Sequence, residues 1–146
     1  MISEDRDALR SQLIDHEGER LTAYRCPAGF ITVGVGRNLE GNGISQEESR
    51  YLLDHDINRC INDAVNQFPW FPDLDPVRQR AVIDLIFNMG IGRFLTFTTT
   101  IGCFARKNYE AAAFALERSK WYGQVGRRAV RVVAMVRTGI DPGLTT

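Results

Sequence analysis

The chain has 146 residues, of which 44% are hydrophobic and 25% charged, a composition that excludes disordered and membrane-spanning classes and fits one domain or two small lobes. Its three cysteines, Cys26, Cys60 and Cys103, form an odd set without a CxxC pair, so we expect neither a disulfide framework nor a metal site. The formal net charge is zero, but residues 1–75 carry 14 acidic and 7 basic side chains, whereas residues 76–146 carry 4 acidic and 11 basic ones.

The first predicted elements are a helix and a short β-hairpin. The helix begins with Ser3 as its cap, carries acids in its first turn and ends at Gly18, directly after Glu17. The hairpin strands LTAY and FITVGV flank Cys-Pro-Ala-Gly, where Pro27 suits the second turn position and Gly29 the fourth. Glycines end the second strand, and NLEGNG is predicted to be a loop.

A long helix follows, because Ser45 and Glu48 have the spacing of a capping box. Prolines then break the chain, and Asp75 caps a core helix that starts at Pro76 and ends at Gly90. The predicted fold class is α+β and mainly helical, with a small hairpin lobe joined by the long helix to an all-helical lobe. The long helix carries an apolar stripe of Leu52, Leu53, Ile57, Cys60, Ile61, Ala64 and Val65, and further helices are predicted near 99–105, 109–119 and 126–137.

A possible catalytic site lies around the hairpin. Glu17 ends a helix and Thr32 lies on the returning strand, so the short connection allows Glu17, Cys26 and Thr32 to face one cleft. Glycoside hydrolysis needs an acid that protonates the leaving oxygen and a second group that places water or attacks the sugar. A glutamate whose pKa is raised by burial could be that acid, whereas a solvated glutamate would be inert.

The order and spacing of several motifs resemble the phage-type lysozymes, glycoside hydrolase family 24. The first motif has eight residues between Glu17 and Cys26 and five between Cys26 and Thr32, with TVGVG on the return strand. The other matching segments, in order, are the start of the long helix, FNMG at 87–90, SKWY at 119–122, and RRA through RTG at 127–139. The resemblance covers most of the chain and implies a single lysozyme-like domain, with a β lobe at 17–44, an interlobe helix at 45–68, and a helical lobe formed by 1–16 and 69–146.

The resemblance implies a muramidase that cuts the β-1,4 bond between N-acetylmuramic acid and N-acetylglucosamine in peptidoglycan, with inversion and without a cofactor. Glu17 would be the general acid, and Thr32 would help hold the attacking water. The substrate-binding positions implied by the family are Phe87, Asn88, Thr100 and Arg128, the last expected next to the catalytic glutamate.

The family also implies an endolysin that works as a monomer. The chain opens without the basic and apolar pattern of an export signal, so we expect synthesis in a reducing host cytoplasm without stable membrane association. Action at the periplasmic wall would then require a separate holin-like protein that permeabilises the membrane.

Two departures from the family pattern concern the site. Cys26 stands where the family usually has aspartate, and three hypotheses follow: it positions water, it attacks the sugar, or it is a structural replacement in a weakened enzyme. The loop from Gly36 to Ile44 is also short, so one cleft wall should be lower. Arg37 takes a position often held by histidine, and we expect it to reach Asp56.

Two other functions remain open. Residues 118–137 hold six Arg or Lys side chains and no acid, which suits an anionic polymer such as nucleic acid or cell wall. The alternative is a solvated helix face that pairs with the acidic half of the chain. Because Val130, Val132 and Val133 must face a core, we expect no nucleic-acid binding. A wall-binding relative that has lost catalysis through Cys26 is the other alternative.

Overall fold

A computed structural model describes residues 1–143, and it is mainly helical with one small antiparallel sheet, as predicted. Contacts divide the chain into two units, Met1–Tyr51 and Leu52–Thr146, and the boundary falls inside helix α2 (Gln46–Gln67). The grouping of residues 1–16 with the helical lobe stays a prediction. No helix in the described part of the chain is long and apolar enough to cross a membrane.

The first unit holds helix α1 (Ser3–Glu17) and the strands β1 (Arg20–Arg25), β2 (Ile31–Gly34) and β3 (Arg37–Asn38). Helix α1 ends at Gly18, whose N–H donates to the carbonyl of Ile14 at 2.8 Å and whose φ of 71° suits glycine. The prediction of Ser3 as the cap is wrong. Ile2 is the N-cap without a side-chain hydrogen bond, because the helix begins one residue earlier than a cap at Ser3 allows.

The sheet has the order β1-β2-β3, with Thr32 of the central strand opposite Tyr24 and Asn38. The predicted turn between β1 and β2 is confirmed, since the N–H of Gly29 donates to the carbonyl of Cys26 at 2.8 Å. The sequence prediction missed β3. Two residues are too few to give an alternation pattern, and the strand exists only because β2 offers it a pairing edge.

The second unit is built around α3 (Pro76–Met89), which buries Ala81, Val82, Leu85 and Ile86. The N-terminal Ser45–Glu48 capping box of α2 and the Asp75 cap of α3 are both confirmed. The other elements are a 3₁₀ turn (Phe71–Asp73) and helices α4 (Ile91–Phe94), α5 (Thr98–Ala105), α6 (Tyr109–Glu117), α7 (Lys120–Val125) and α8 (Arg127–Thr138).

The predicted apolar stripe of α2 is buried only in part. Cys60 and Ala64 belong to the core, whereas Leu52 and Val65 are 52% and 50% exposed. Three other stripe residues line an open cavity of about 570 Å³; these are Leu53, Ile57 and Ile61. Periodicity correctly predicted the helix, but it could not tell which part of the stripe would find a packing partner.

Three arginines of α8, Arg128, Arg131 and Arg137, form ion pairs within their own half of the sequence. Arg131 binds Asp141 at 2.8 Å, and Arg137 binds Glu110 at 3.0 Å and also Glu117. The expectation that this face pairs with the acidic first half is therefore wrong for these arginines. Helix α8 buries Val132, Val133 and Val136 and leaves these guanidinium groups within reach of acids on neighbouring segments. The expectation that Val130 faces a core is wrong, since its side chain is 52% exposed.

The cap of α3 gives a stability prediction. Asp75 accepts from the Arg78 N–H at 3.1 Å and pairs with the Arg78 guanidinium at 3.0 Å. We expect Asp75→Ala to lower the free energy of unfolding by about 1 kcal/mol in urea titrations, because the first turn of the helix loses its acceptor. Asp73→Ala, at an exposed 3₁₀ position, is the matched control and should change little. Equal effects of the two substitutions would contradict a capping role.

Candidate active site

Glu17, the predicted general acid, is the last residue of α1, and its side chain is exposed. Its carboxylate lies against Gly36, in the turn between β2 and β3. A Cβ at position 36 would be 3.0 Å from Glu17 Oε2, and the φ of Gly36 is 66°, so glycine meets both a steric and a conformational requirement there. The turn that follows the Thr32 strand therefore accommodates the glutamate.

Cys26 occupies the first position of the β-turn after β1. Its N–H donates to the carbonyl of Phe30 at 2.9 Å, and its carbonyl accepts from the N–H of Gly29 at 2.8 Å. The side chain is half-buried and carries a free thiol. These two backbone hydrogen bonds close the turn at Cys26.

The turn favours an anionic sulfur. Hydrogen bonding from the Phe30 N–H is the largest influence and lowers the pKa of the Cys26 thiol; partial desolvation opposes it. The N–H groups of Ala28 and Gly29 and the hydroxyl of Thr32 lower it further. All four groups are neutral, and two of them also have a carbonyl partner: the Gly29 N–H donates to Cys26 and the Thr32 hydroxyl to Phe30.

Thr32 is buried, at 3% exposure, in the centre of the small sheet. Its hydroxyl donates to the carbonyl of Phe30 at 2.9 Å and contacts the sulfur of Cys26. Because a hydroxyl has one proton, it can serve the carbonyl while Cys26 is a thiol and the sulfur once Cys26 is a thiolate. The structure therefore brings Cys26 and Thr32 together as one hydrogen-bonded group.

The expected contact between Arg37 and Asp56 is absent. Arg37 binds Glu48 at 2.7 Å and donates to the carbonyl of Gly43 at 3.3 Å, while Asp56 pairs with Arg59. The short loop explains the change of partner, since it returns directly to the start of α2, where Glu48 belongs to the capping box.

The remaining predicted residues lie in the second unit. Phe87, which is 43% exposed, and Arg128 line the cavity of about 570 Å³ already described. The guanidinium of Arg128 pairs with Asp84 at 2.8 Å and so has an acidic partner within its own unit. Asp84 lies three residues before Phe87 on α3, on the same side of the helix.

Asn88 and Thr100 lie on helices of the second unit, where one is hydrogen-bonded and the other is buried. The side-chain oxygen of Asn88 accepts from the indole N–H of Trp121 at 2.9 Å, and Trp121 is buried in the core of this unit. Thr100 is 2% exposed and borders a recess of about 270 Å³ together with Ser119 and neighbouring threonines. Cys60 and Cys103 are buried free thiols.

Sequence reasoning missed the partners of these residues. The donors at Cys26 are backbone groups, which carry no residue signature, although Pro27 and Gly29 already predicted the turn that supplies them. Asp84 and Trp121 could not be assigned to Arg128 and Asn88, because spacing along the chain does not determine contacts between distant helices.

The chain is similar to lysozymes over most of its length. Residues 14–136 match the family described as phage lysozyme. "Probable T4-type lysozyme 1" of Dictyostelium discoideum is 26% identical over 168 residues, 95% of this chain and 96% of that protein. The endolysin of Salmonella phage P22 is 34% identical over 72% of this chain and 75% of its own length. The chain therefore belongs to the phage lysozyme family and is a glycoside hydrolase of the peptidoglycan-cleaving class.

Proposed function

We propose that this lysozyme cleaves the β-1,4 bond between N-acetylmuramic acid and N-acetylglucosamine, with Glu17 as general acid and Cys26 as the group that positions the attacking water. The observation that carries this proposal is the place of Cys26 at the start of a closed turn beside the buried Thr32, where hydrogen bonding from the surrounding groups lowers the pKa of its thiol. A site that stabilises a thiolate supplies a negatively charged acceptor for one water hydrogen. The same charge stabilises an oxocarbenium-like transition state.

Thr32 acts on the water mainly through Cys26. Its side chain is buried and its hydroxyl proton serves either Phe30 or the sulfur. The half-buried sulfur is the more accessible atom of the pair, so it makes the direct contact with water. Thr32 fixes the position of the sulfur and adds a hydrogen bond that is strongest when Cys26 carries the charge.

Water attack is favoured over attack by sulfur. A nucleophilic thiolate must present its lone pairs to the sugar carbon, whereas the donors of this turn already engage them. Those hydrogen bonds would have to weaken on the way to a covalent intermediate. They are retained when the sulfur only orients a water molecule, so the inverting reaction loses less hydrogen-bond energy on the way to its transition state.

Glu17 supplies the proton to the leaving oxygen. Its carboxylate is exposed, and a bound saccharide would cover it and exclude water from the proton transfer. From the helical unit, we propose that Phe87, Asn88, Thr100 and Arg128 contribute to substrate binding. Since Arg128 and Asn88 have protein partners and Thr100 is buried, we assign them to orienting the binding surface and Phe87 to direct sugar contact.

The biological role that fits this chemistry is that of an endolysin acting as a monomer. Relatives with this printed name come from bacteriophages. Access to the periplasmic wall would then depend on a separate permeabilising protein of the holin type. The nucleic-acid alternative gains no support, because Arg128, Arg131 and Arg137 each bind a carboxylate.

The acid assignment predicts that Glu17→Gln abolishes lysis. The amide has nearly the same shape and fits beside Gly36, but it cannot donate a carboxylic proton. Turbidity loss of permeabilised Gram-negative cells should fall by at least about 100-fold, the scale of general-acid catalysis. Glu19→Gln, two residues away and also exposed, is the matched control and should lyse like the parent. A Glu17→Gln enzyme with more than a few per cent of activity would exclude this assignment.

The role of Cys26 predicts opposite effects of two substitutions. Cys26→Asp should retain or raise activity and extend it to lower pH, because a carboxylate accepts the same donors and stays ionised in more acidic solution. Cys26→Ala should reduce the rate strongly, since the water loses its acceptor. Rates from pH 5 to 9 measure both effects. An alanine variant as fast as the parent would leave Cys26 without a chemical role, and a parent without lysis beside an active Cys26→Asp would identify a weakened relative.

Product stereochemistry separates water attack from attack by sulfur. We expect inversion at the anomeric carbon, because a single displacement by water reverses its configuration. Proton NMR of freshly released oligosaccharide ends, recorded before mutarotation, measures the ratio of the two anomers. Retention in the parent together with inversion in Cys26→Asp would instead establish sulfur as the nucleophile.

A further inference from the structure

Arg25 and Cys26 contact opposite sides of the same peptide group. The Arg25 guanidinium donates from Nη1 to the carbonyl of Gly29 at 2.9 Å. The N–H of that peptide belongs to Phe30, and hydrogen bonding from it is the largest influence that lowers the pKa of the Cys26 thiol. The turn is closed at the same place, since the Gly29 N–H donates to the Cys26 carbonyl at 2.8 Å. A trans peptide bond is planar and directs its C=O and N–H in opposite directions, so one peptide links the guanidinium to the sulfur.

Glu40 contacts both the Arg25 guanidinium and the backbone that follows Phe30. Its carboxylate accepts from the N–H of Ile31 at 3.0 Å and lies 3.5 Å from the Arg25 guanidinium. Arg25 thus bridges the turn and the loop that follows β3. Two hydrogen bonds, one on each side of Phe30, limit the rotation of the peptide that faces Cys26.

We propose that Arg25 is a positioning residue for Cys26, because its guanidinium fixes and polarises the Gly29–Phe30 peptide whose N–H binds the sulfur. A positive charge at the carbonyl oxygen draws electron density through the amide and makes its N–H a better donor. The thiolate is thereby favoured without any charged side chain touching the sulfur. This inference rests on the proposed role of Cys26 in catalysis.

The effect is expected to be modest, since the Arg25 side chain is 67% exposed and water screens its charge. The charged side chains that contact the turn in the described part of the chain are Arg25 from β1 and Glu40 from the following loop. Their charges oppose each other, so the directed hydrogen bond to Gly29 carries most of the effect. Removal of the guanidinium should raise the pKa of Cys26 slightly and loosen the turn.

The test compares Arg25→Met with Arg20→Met. Arg20 lies on the same strand, where its guanidinium stacks over Tyr24 at 4.4 Å, so it is a matched control for loss of a strand arginine. The readout is the rate of Cys26 alkylation by iodoacetamide between pH 6 and 10, followed by peptide mass spectrometry that separates Cys26 from Cys60 and Cys103. At pH below the midpoint, Arg25→Met should react roughly two- to fivefold more slowly, and Arg20→Met should match the parent.

Arg25→Lys tests the same contact from the other direction. A lysine restores a cationic donor to Gly29 without the planar fork, so its alkylation midpoint should lie between those of the parent and Arg25→Met. In lysis assays, Arg25→Met should lower kcat on the acidic side of the pH profile and leave KM unchanged. An unchanged alkylation midpoint in Arg25→Met would overturn the inference. Alkylation does not require turnover, so a failed catalytic role for Cys26 would be seen separately, as full lysis by Cys26→Ala.

Discussion

The proposed chemistry depends on one structural constraint, the closure of the β1–β2 turn around position 26. The Gly29 N–H closes the turn on the Cys26 carbonyl, and hydrogen bonding from the backbone of residues 28–30 lowers the pKa of the Cys26 thiol. Pro27 fixes the first central torsion, and Gly29 accepts a φ of 89° at the turn's end. Pairing of Tyr24 with Thr32 then brings the hydroxyl to the same point. The backbone geometry of the turn therefore forms the acceptor site, whichever side chain occupies position 26.

This constraint explains how cysteine can occupy a position where the family usually has aspartate. The donors around position 26 favour a negatively charged acceptor on a short side chain, and both a thiolate and a carboxylate provide one. Sulfur is larger and forms weaker hydrogen bonds, and it keeps its proton to higher pH than a carboxyl group. The exchange thus preserves the geometry of the site. It shifts the pH range in which the group at position 26 is charged, and in which catalysis is expected, towards alkaline pH.

The sequence predicted the parts of this site that depend on local rules. The end of α1 at Gly18, the turn at Cys26 and the two helix caps follow from residue chemistry within four positions. What it could not predict depends on contacts at a distance. Strand β3 is defined only by its pairing with β2, and Arg37 pairs with Glu48 rather than with Asp56. Half of the apolar stripe of α2 is exposed. In each case several partners were chemically equivalent, and chain geometry selected one.

The first unit has a further property that bears on its chemistry. Thr32 is the only buried residue among residues 1–51, all of which the structure describes, so this unit has no apolar core of its own. A sheet of three short strands is marginally stable without such a core. Polar tethers must therefore hold the loops: Arg25 with Glu40, and Arg37 with Glu48.

The Arg37 guanidinium and Ser45 lower the pKa of Glu48 to about 2. Because this pKa is depressed in the folded state, the tether is complete above about pH 4.5 and weakens as the pH falls towards 2. The Arg37–Glu48 tether therefore stays complete in mildly acidic solution, so the loop that returns from the sheet to α2 keeps its position there although the unit has no apolar core.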